Sequence, residues 1–162
     1  MKTAKNACGF IGCALVLAVL LAGASPAADN ANGMVAVVNP TNPINDLSVT
    51  DLRRILLGER RFWKGNVQVK LALPQAGSRE RDKLIGSLLG ISTAEFARHW
   101  RAKVFRGEAP DEPLSLPDSS MGQYVVETPG ALALITRKNL PAGVKVLKIG
   151  GKGPGESSYV LQ

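Results

Sequence analysis

Short apolar runs alternate along the chain with longer segments of helical periodicity. Met34 to Val38 form one continuous apolar run, and Val67 to Leu73 alternate apolar with polar or small positions. Alternation is the period of a strand that turns one face toward a core. Two later apolar runs, Ala131 to Thr136 and Val144 to Ile149, are bounded by turn residues and also predict strands.

Between these runs lie helix start and stop signals. A serine that can accept a hydrogen bond from a backbone amide opens several segments with apolar residues at helical spacing. Glycine, which adopts the left-handed conformation readily, can end two of them. The predicted helices run from Ser48 to Gly58, from Ser78 to Gly90, from Ser92 to about Val104, and from Ser119 or Ser120 to just before Pro129. Strands that alternate with helices predict an α/β fold, with a small mixed or parallel sheet covered by helices.

The N-terminal segment predicts export. Lys2 and Lys5 precede an apolar run from Phe10 to Leu21, and small residues follow. This order is typical of a secretory signal peptide, here residues 1–27, with cleavage after Ala24 or Ala27. The alternative is a retained anchor, but the apolar run is shorter than the roughly 20 residues that span a bilayer. We therefore expect a periplasmic protein.

Removal of this leader leaves a chain of the size of one domain. We expect a short linker at residues 28–33, one α/β domain at 34–149, and a flexible Gly-rich tail at 150–162 that buries little. Both cysteines, Cys8 and Cys13, lie in the leader, so no disulfide is expected after its removal. The whole chain has a net charge of +7, and the leader carries two of the positive charges and no acid, which leaves +5. That balance favours anionic partners.

An ordered set of short motifs resembles the periplasmic phosphate-binding proteins, the substrate-binding receptors of phosphate ABC transporters. The set comprises Val35 to Asn39, Leu47 to Gly58, Trp63 with Gly65, Gly77-Ser78, Trp100, Phe105 with Gly107, Met121, Val125 and Thr128 to Ala131. The resemblance covers about residues 34–149. It implies a type 2 periplasmic-binding-protein-like fold, present here as a single lobe. It also implies a solute-binding module for phosphate or a similar small oxyanion, which is presented to a membrane transporter or sensor.

The candidate ligand-binding residues are Gly77, Ser78, Arg79, Glu80 and Arg81, at a predicted helix start after a strand. The first amides of a helix lack partners within it and lie at the positive end of its dipole, so they suit an oxyanion. The Ser78 hydroxyl could donate to the anion, and the two guanidiniums could supply charge. The alternative is that Ser78 only caps the helix and that the arginines are solvated.

A single lobe would leave an anion half exposed to water, where ionic contacts weaken. We therefore expect weak binding, or binding shared with a second chain in a homo-oligomer. The competing hypothesis is a ligand-free protein-interaction lobe that docks on a membrane or periplasmic partner. Its contact surface would be the basic cluster of Arg53, Arg54, Arg60 and Arg61. Export argues against nucleic acid as the partner of that cluster.

Enzymatic signals are weak. His99 is the only histidine, so we expect no metal site and assign His99 a packing or surface role. Asp111 and Glu112 lie in a proline-rich loop with no partner base or nucleophile in the sequence. We expect neither catalysis nor a cofactor.

Overall fold

The structure is a computed structural model that describes residues 33–156 and 158–161. The predicted leader, and all of the predicted linker except Gly33, lie outside the described residues. The elements, in chain order, are β1 (Met34–Val38), β2 (Asp46–Leu47), α1 (Val49–Leu56), β3 (Lys70–Pro74), α2 (Arg79–Leu89), α3 (Thr93–Phe105), β4 (Leu114–Leu116), α4 (Asp118–Glu127), β5 (Ala131–Thr136), a 3-10 turn (Arg137–Asn139), β6 (Lys145–Val146) and β7 (Lys148–Ile149).

The main sheet has five strands in the order β4-β3-β5-β1-β6. β3 runs parallel to both β4 and β5, whereas β1 runs antiparallel to β5 and β6. β2 and β7 form a separate parallel pair. Every residue of β1 and β5 is buried, as expected for central strands that are covered on both faces. The fold is therefore α/β with a mixed sheet, as the sequence predicted.

Each of the first three helices buries one stripe against this sheet or its neighbours. Trp100 on α3 is buried, and its Nε1 donates a 2.9 Å hydrogen bond to the carbonyl of Leu56 at the end of α1. The buried stripes are Leu52, Ile55 and Leu56 on α1, Leu84, Ile85 and Leu88 on α2, and Phe96 and Trp100 on α3. In the part of the chain that the structure describes, no helix is long and apolar enough to cross a membrane.

The predicted caps of the first three helices are confirmed, whereas α4 begins at Asp118, just before the predicted Ser119 or Ser120, after Pro117 and without a side-chain cap. Ser48 accepts from the amide of Asp51, Ser92 and Glu95 form a capping box, and Gly90 ends α2 in the left-handed conformation. The predicted strand at 67–73 begins later, at Lys70. A tight turn takes up its first residues, because the amide of Trp63 donates to the carbonyl of Val67 at 2.8 Å.

Two strand predictions need correction. The run from Val144 to Ile149 forms two short strands, because β6 pairs with β1 whereas β7 pairs with β2. The proline-rich loop predicted around Asp111 and Glu112 leads directly into β4, a strand that was not predicted. β4 has only three residues and lies between Pro113 and Pro117, so its local signal is that of a turn.

The segment after Ile149 does not behave as a tail that buries little. Tyr159 and Leu161 are only 3% and 5% exposed. The amide of Met34 donates to the carbonyl of Leu161 at 2.7 Å, and the amide of Ala36 donates to the Tyr159 hydroxyl at 3.3 Å. The Gly-rich composition of residues 150–155 predicted a flexible end. Two apolar residues that follow this stretch nevertheless complete the core beside β1. The domain boundaries themselves remain predictions.

Candidate anion-binding site

The candidate site lies where three parallel strands end. Because β4, β3 and β5 run in the same direction, their carboxyl ends meet at one edge of the sheet. A cavity of about 230 Å³ lies at this edge. It is lined by Pro74, Gln75, Ser78, Glu80, Pro117, Asp118, Thr136, Lys138 and Asn139, which lie at or just after the ends of these strands. The carboxyl edge of parallel strands is where ligands of open α/β sheets generally bind.

α2 begins at this edge with a capped first turn. Gly77 has φ of +80°, a left-handed conformation that glycine adopts without strain, and it turns the chain from β3 toward the helix. The Ser78 Oγ accepts a hydrogen bond from the Arg81 amide at 3.2 Å. A hydroxyl that accepts one hydrogen bond still carries its own hydrogen to donate. Ser78 can therefore cap the helix and donate to a ligand at once, so the two sequence interpretations do not exclude each other.

Two amides at the start of α2 are left open. The Ser78 amide donates to the carbonyl of Gln75 at 3.1 Å, and the Arg81 amide donates to Ser78. Within the described chain, the amides of Arg79 and Glu80 have no hydrogen-bond acceptor. Such amides, at the positive end of an 11-residue helix, attract an anion.

Arg81 is turned away from the cavity. It is 7% exposed, and its Nη1 donates to the carbonyl of Pro74 at 3.1 Å and to the Ser115 Oγ at 3.2 Å. Its guanidinium carbon lies 5.8 Å from the centre of the Phe96 ring, a cation–π distance. Burial lowers the pKa of Arg81, and Glu112 and Asp82 act in the opposite direction. Arg81 therefore links β3 to β4.

The five predicted site residues thus differ in whether they line the cavity. Ser78 and Glu80 line the cavity, whereas Gly77, Arg79 and Arg81 do not. Arg79 is exposed at the same helix start.

The cavity also has a cation that was not among the predicted site residues, Lys138. It lines the cavity two residues after β5, beside Asn139, whose Nδ2 donates to the Asp118 Oδ2 at 3.0 Å. The available signal was its position just beyond the end of the strand predicted at Ala131 to Thr136. Lys138 opposes the negative charges of Glu80 and Asp118, so the cavity combines one cation with two carboxylates.

The basic cluster named from the sequence is largely engaged within the protein. The Arg60 guanidinium lies 3.0 Å from the Asp51 carboxylate. The Arg53 Nε donates to the carbonyl of Leu88 at 2.7 Å, and Arg61 donates to the carbonyl of Glu108. These contacts reduce the case for a freely available basic face on α1.

Other candidate residues have structural surroundings. The His99 Nε2 lies 2.9 Å from the carbonyl oxygen of Leu57, which indicates a packing role. Asp111 and Glu112 line a larger cavity of about 530 Å³ beside the start of β3. Arg61 and Lys70 also line it, so two cations and two carboxylates share this cavity.

The fold is similar to that of several phosphate receptors of known structure. A phosphate ABC transporter substrate-binding protein from Clostridium perfringens, solved with bound phosphate, matches with a TM-score of 0.61 and 17% identity over 75% of this chain and 46% of its own. An ABC-type phosphate transport receptor from Vibrio cholerae matches with a TM-score of 0.63 and 20% identity over 80% of this chain and 52% of its own. PstS from Borrelia burgdorferi matches with a TM-score of 0.60 and 16% identity over 75% of this chain and 49% of its own.

These likenesses confirm the predicted resemblance at the level of fold. The chain spans about half the length of the structures that it matches. No protein-family model and no curated protein matches it.

Proposed function

We propose that this protein is a periplasmic solute-binding module for phosphate or a similar small oxyanion, which it presents to an ABC transporter or a membrane sensor. The start of α2 carries the proposal. Ser78 and Glu80 line a cavity at the carboxyl edge of three parallel strands, and the amides of Arg79 and Glu80 have no acceptor within the described chain. The fold likeness to phosphate receptors supports the same ligand class.

Binding would use hydrogen bonds and charge without any covalent step. The amides of Arg79 and Glu80 and the Ser78 hydroxyl donate to the oxygens of the anion. Lys138, which also lines the cavity, supplies a positive charge. A binding role of this kind is not enzymatic.

The affinity of the isolated chain should be low. The cavity opens to water, and Glu80 and Asp118 place negative charge near the anion. Ionic contacts weaken several-fold between a protein interior and water. A second chain that covers the open side would strengthen binding, so sedimentation with and without phosphate tests whether the anion promotes a dimer.

Isothermal calorimetry with phosphate, sulfate and chloride tests the proposal. Ser78→Asp keeps a strong N-cap residue but places a carboxylate at the anion position, so folding should persist while phosphate heat disappears. Lys138→Gln should weaken binding without abolishing it, because the amides remain. Lys152→Gln, the same charge change away from the cavity, is the matched control and should bind like the parent.

The same calorimetry distinguishes the proposed binding function from the competing interaction function. Silence of the folded parent protein toward every oxyanion would contradict the proposal. It would instead support a ligand-free interaction lobe on a membrane or periplasmic partner. Equal heats for Ser78→Asp and the parent would show that the anion binds elsewhere.

Export has a separate test. We expect the protein expressed with its leader to accumulate in the periplasm. Its new N terminus should follow Ala24 or Ala27. N-terminal sequencing of the secreted form decides this, and an uncleaved chain that stays with the membrane would contradict it.

A further inference from the structure

One outer face of α3 has the chemistry of a membrane-surface contact. Arg98, Arg101 and Phe105 follow one another at helical spacing, and all three are exposed. Phe105, the last residue of the helix, is 92% exposed. We call these three residues the α3 ridge. We propose that the α3 ridge docks the protein on an anionic phospholipid bilayer, independently of whether the cavity binds an oxyanion.

The arginines of the α3 ridge are available to an external anion. Neither Arg98 nor Arg101 forms an ion pair within the described part of the chain. Arg98 lies near enough to contribute to the lowered pKa of Glu95, but the hydrogen bonds that dominate this shift come from Ser92. By contrast, Arg53, Arg60 and Arg61 of the basic cluster have partners in the protein.

A second exposed phenylalanine follows a residue that is bonded to the segment just after α3. Arg61 donates to the carbonyl of Glu108, three residues beyond Phe105, and Phe62 is the next residue after Arg61. Phe62 is 46% exposed. Aromatic residues next to cations are the combination by which amphipathic helices bind membrane interfaces.

The small size of the ridge favours lipid over a protein partner. From Arg98 to Phe105 a helix rises only about 10 Å. A stable protein interface buries about 800 Å² on each partner, around aromatic anchors in fitted pockets. A bilayer needs no fitted pocket, because cations contact headgroup phosphates and an aromatic ring enters the interface.

Vesicle co-sedimentation tests the proposal on the folded protein. Vesicles of phosphatidylcholine with phosphatidylglycerol should bind the parent, and vesicles of phosphatidylcholine alone should bind it much less. The double variant Arg98→Gln with Arg101→Gln should lose about thirtyfold in binding, since each cation near an anionic surface contributes about fivefold. Phe105→Ser should lose roughly tenfold or more.

The control is Lys148→Gln with Lys152→Gln, which makes the same charge change elsewhere and should bind like the parent. All proteins carry the same N terminus, so any lipid affinity of a leader contributes equally. Circular dichroism verifies that each variant is folded. Equal binding by the ridge variant and the control would overturn the proposal. Binding to neither vesicle would also overturn it, and would leave an acidic protein as the partner to seek.

Discussion

At the scale of single residues, Arg79 and Arg81 show what the sequence could and could not predict. Both were expected to supply guanidiniums to an anion. Helical positions two apart are rotated by about 200° around the helix axis and so point to nearly opposite sides, which turns one of the pair away from any shared ligand. The structure exposes Arg79 and buries Arg81 against Phe96. The helix start was predictable from the local sequence. The burial of Arg81, which depends on how neighbouring elements pack around it, was not.

These two arginines should differ sharply in their effect on stability. Arg81→Ala removes two hydrogen bonds and buried packing, so we expect the free energy of unfolding to fall by about 2–3 kcal/mol. Arg79→Ala, its matched control, should change it by less than about 0.5 kcal/mol. Urea denaturation of both variants measures this difference. Equal losses would contradict the structural role assigned to Arg81.

Glu108 should contribute to the loss of folding stability at acid pH. Hydrogen bonds from Arg106 and Lys103 lower the pKa of this exposed carboxylate from 4.5 to about 2. A lowered pKa in the folded state stabilises the protein above the ordinary pKa, and that stabilisation is lost as pH falls toward 2. Glu108→Gln should therefore flatten part of the decline in stability between pH 4.5 and 2. Denaturation across this pH range measures the decline, with Glu127→Gln as the control. Parallel declines for the parent and both variants would contradict the role of Glu108.

At the scale of elements, helices were predicted better than short strands. Ser48, Ser78 and Ser92 each cap a helix as expected, because capping depends on neighbouring residues. β2 and β4, with two and three residues, depend on partners distant in sequence. Local patterns carry little information on such pairing.

The connection into β5 should be intolerant of a side chain. A Cβ on Gly130 would lie 2.1 Å from the carbonyl oxygen of Gln68, and Gly130 has φ of +80°. Gly77 has the same φ, but its Cβ would meet no atom within 4 Å. We expect Gly130→Ala to lower the unfolding free energy by more than about 3 kcal/mol and Gly77→Ala by about 1 kcal/mol. Thermal unfolding compares them, and similar losses would contradict the close approach.

At the scale of the whole molecule, the C-terminal segment closes the core beside β1. Tyr159 is buried, accepts from the amide of Ala36 and lies 3.4 Å from the carbonyl oxygen of Leu147. Composition predicted flexibility here because glycines dominate the segment before it. Only the assembled fold brings this tyrosine to the edge of the first strand.

This segment should contribute to global stability. Tyr159→Ala removes a buried aromatic ring, and we expect a loss of about 3–5 kcal/mol in the free energy of unfolding. Ser158→Ala, at an exposed neighbouring position, should change it little. Guanidinium denaturation measures both. A tail that does not pack on the core would leave the two variants alike.

The central claim is that the start of α2 holds a phosphate-like oxyanion. Titration of the ¹⁵N-labelled protein with phosphate, followed by amide NMR shifts, tests it most directly. We predict that the amides of Arg79 and Glu80 shift first and farthest, with a smaller response at Lys138. Shifts confined to Arg98 and Arg101, or no shift at the start of α2 at saturating phosphate, would contradict the account.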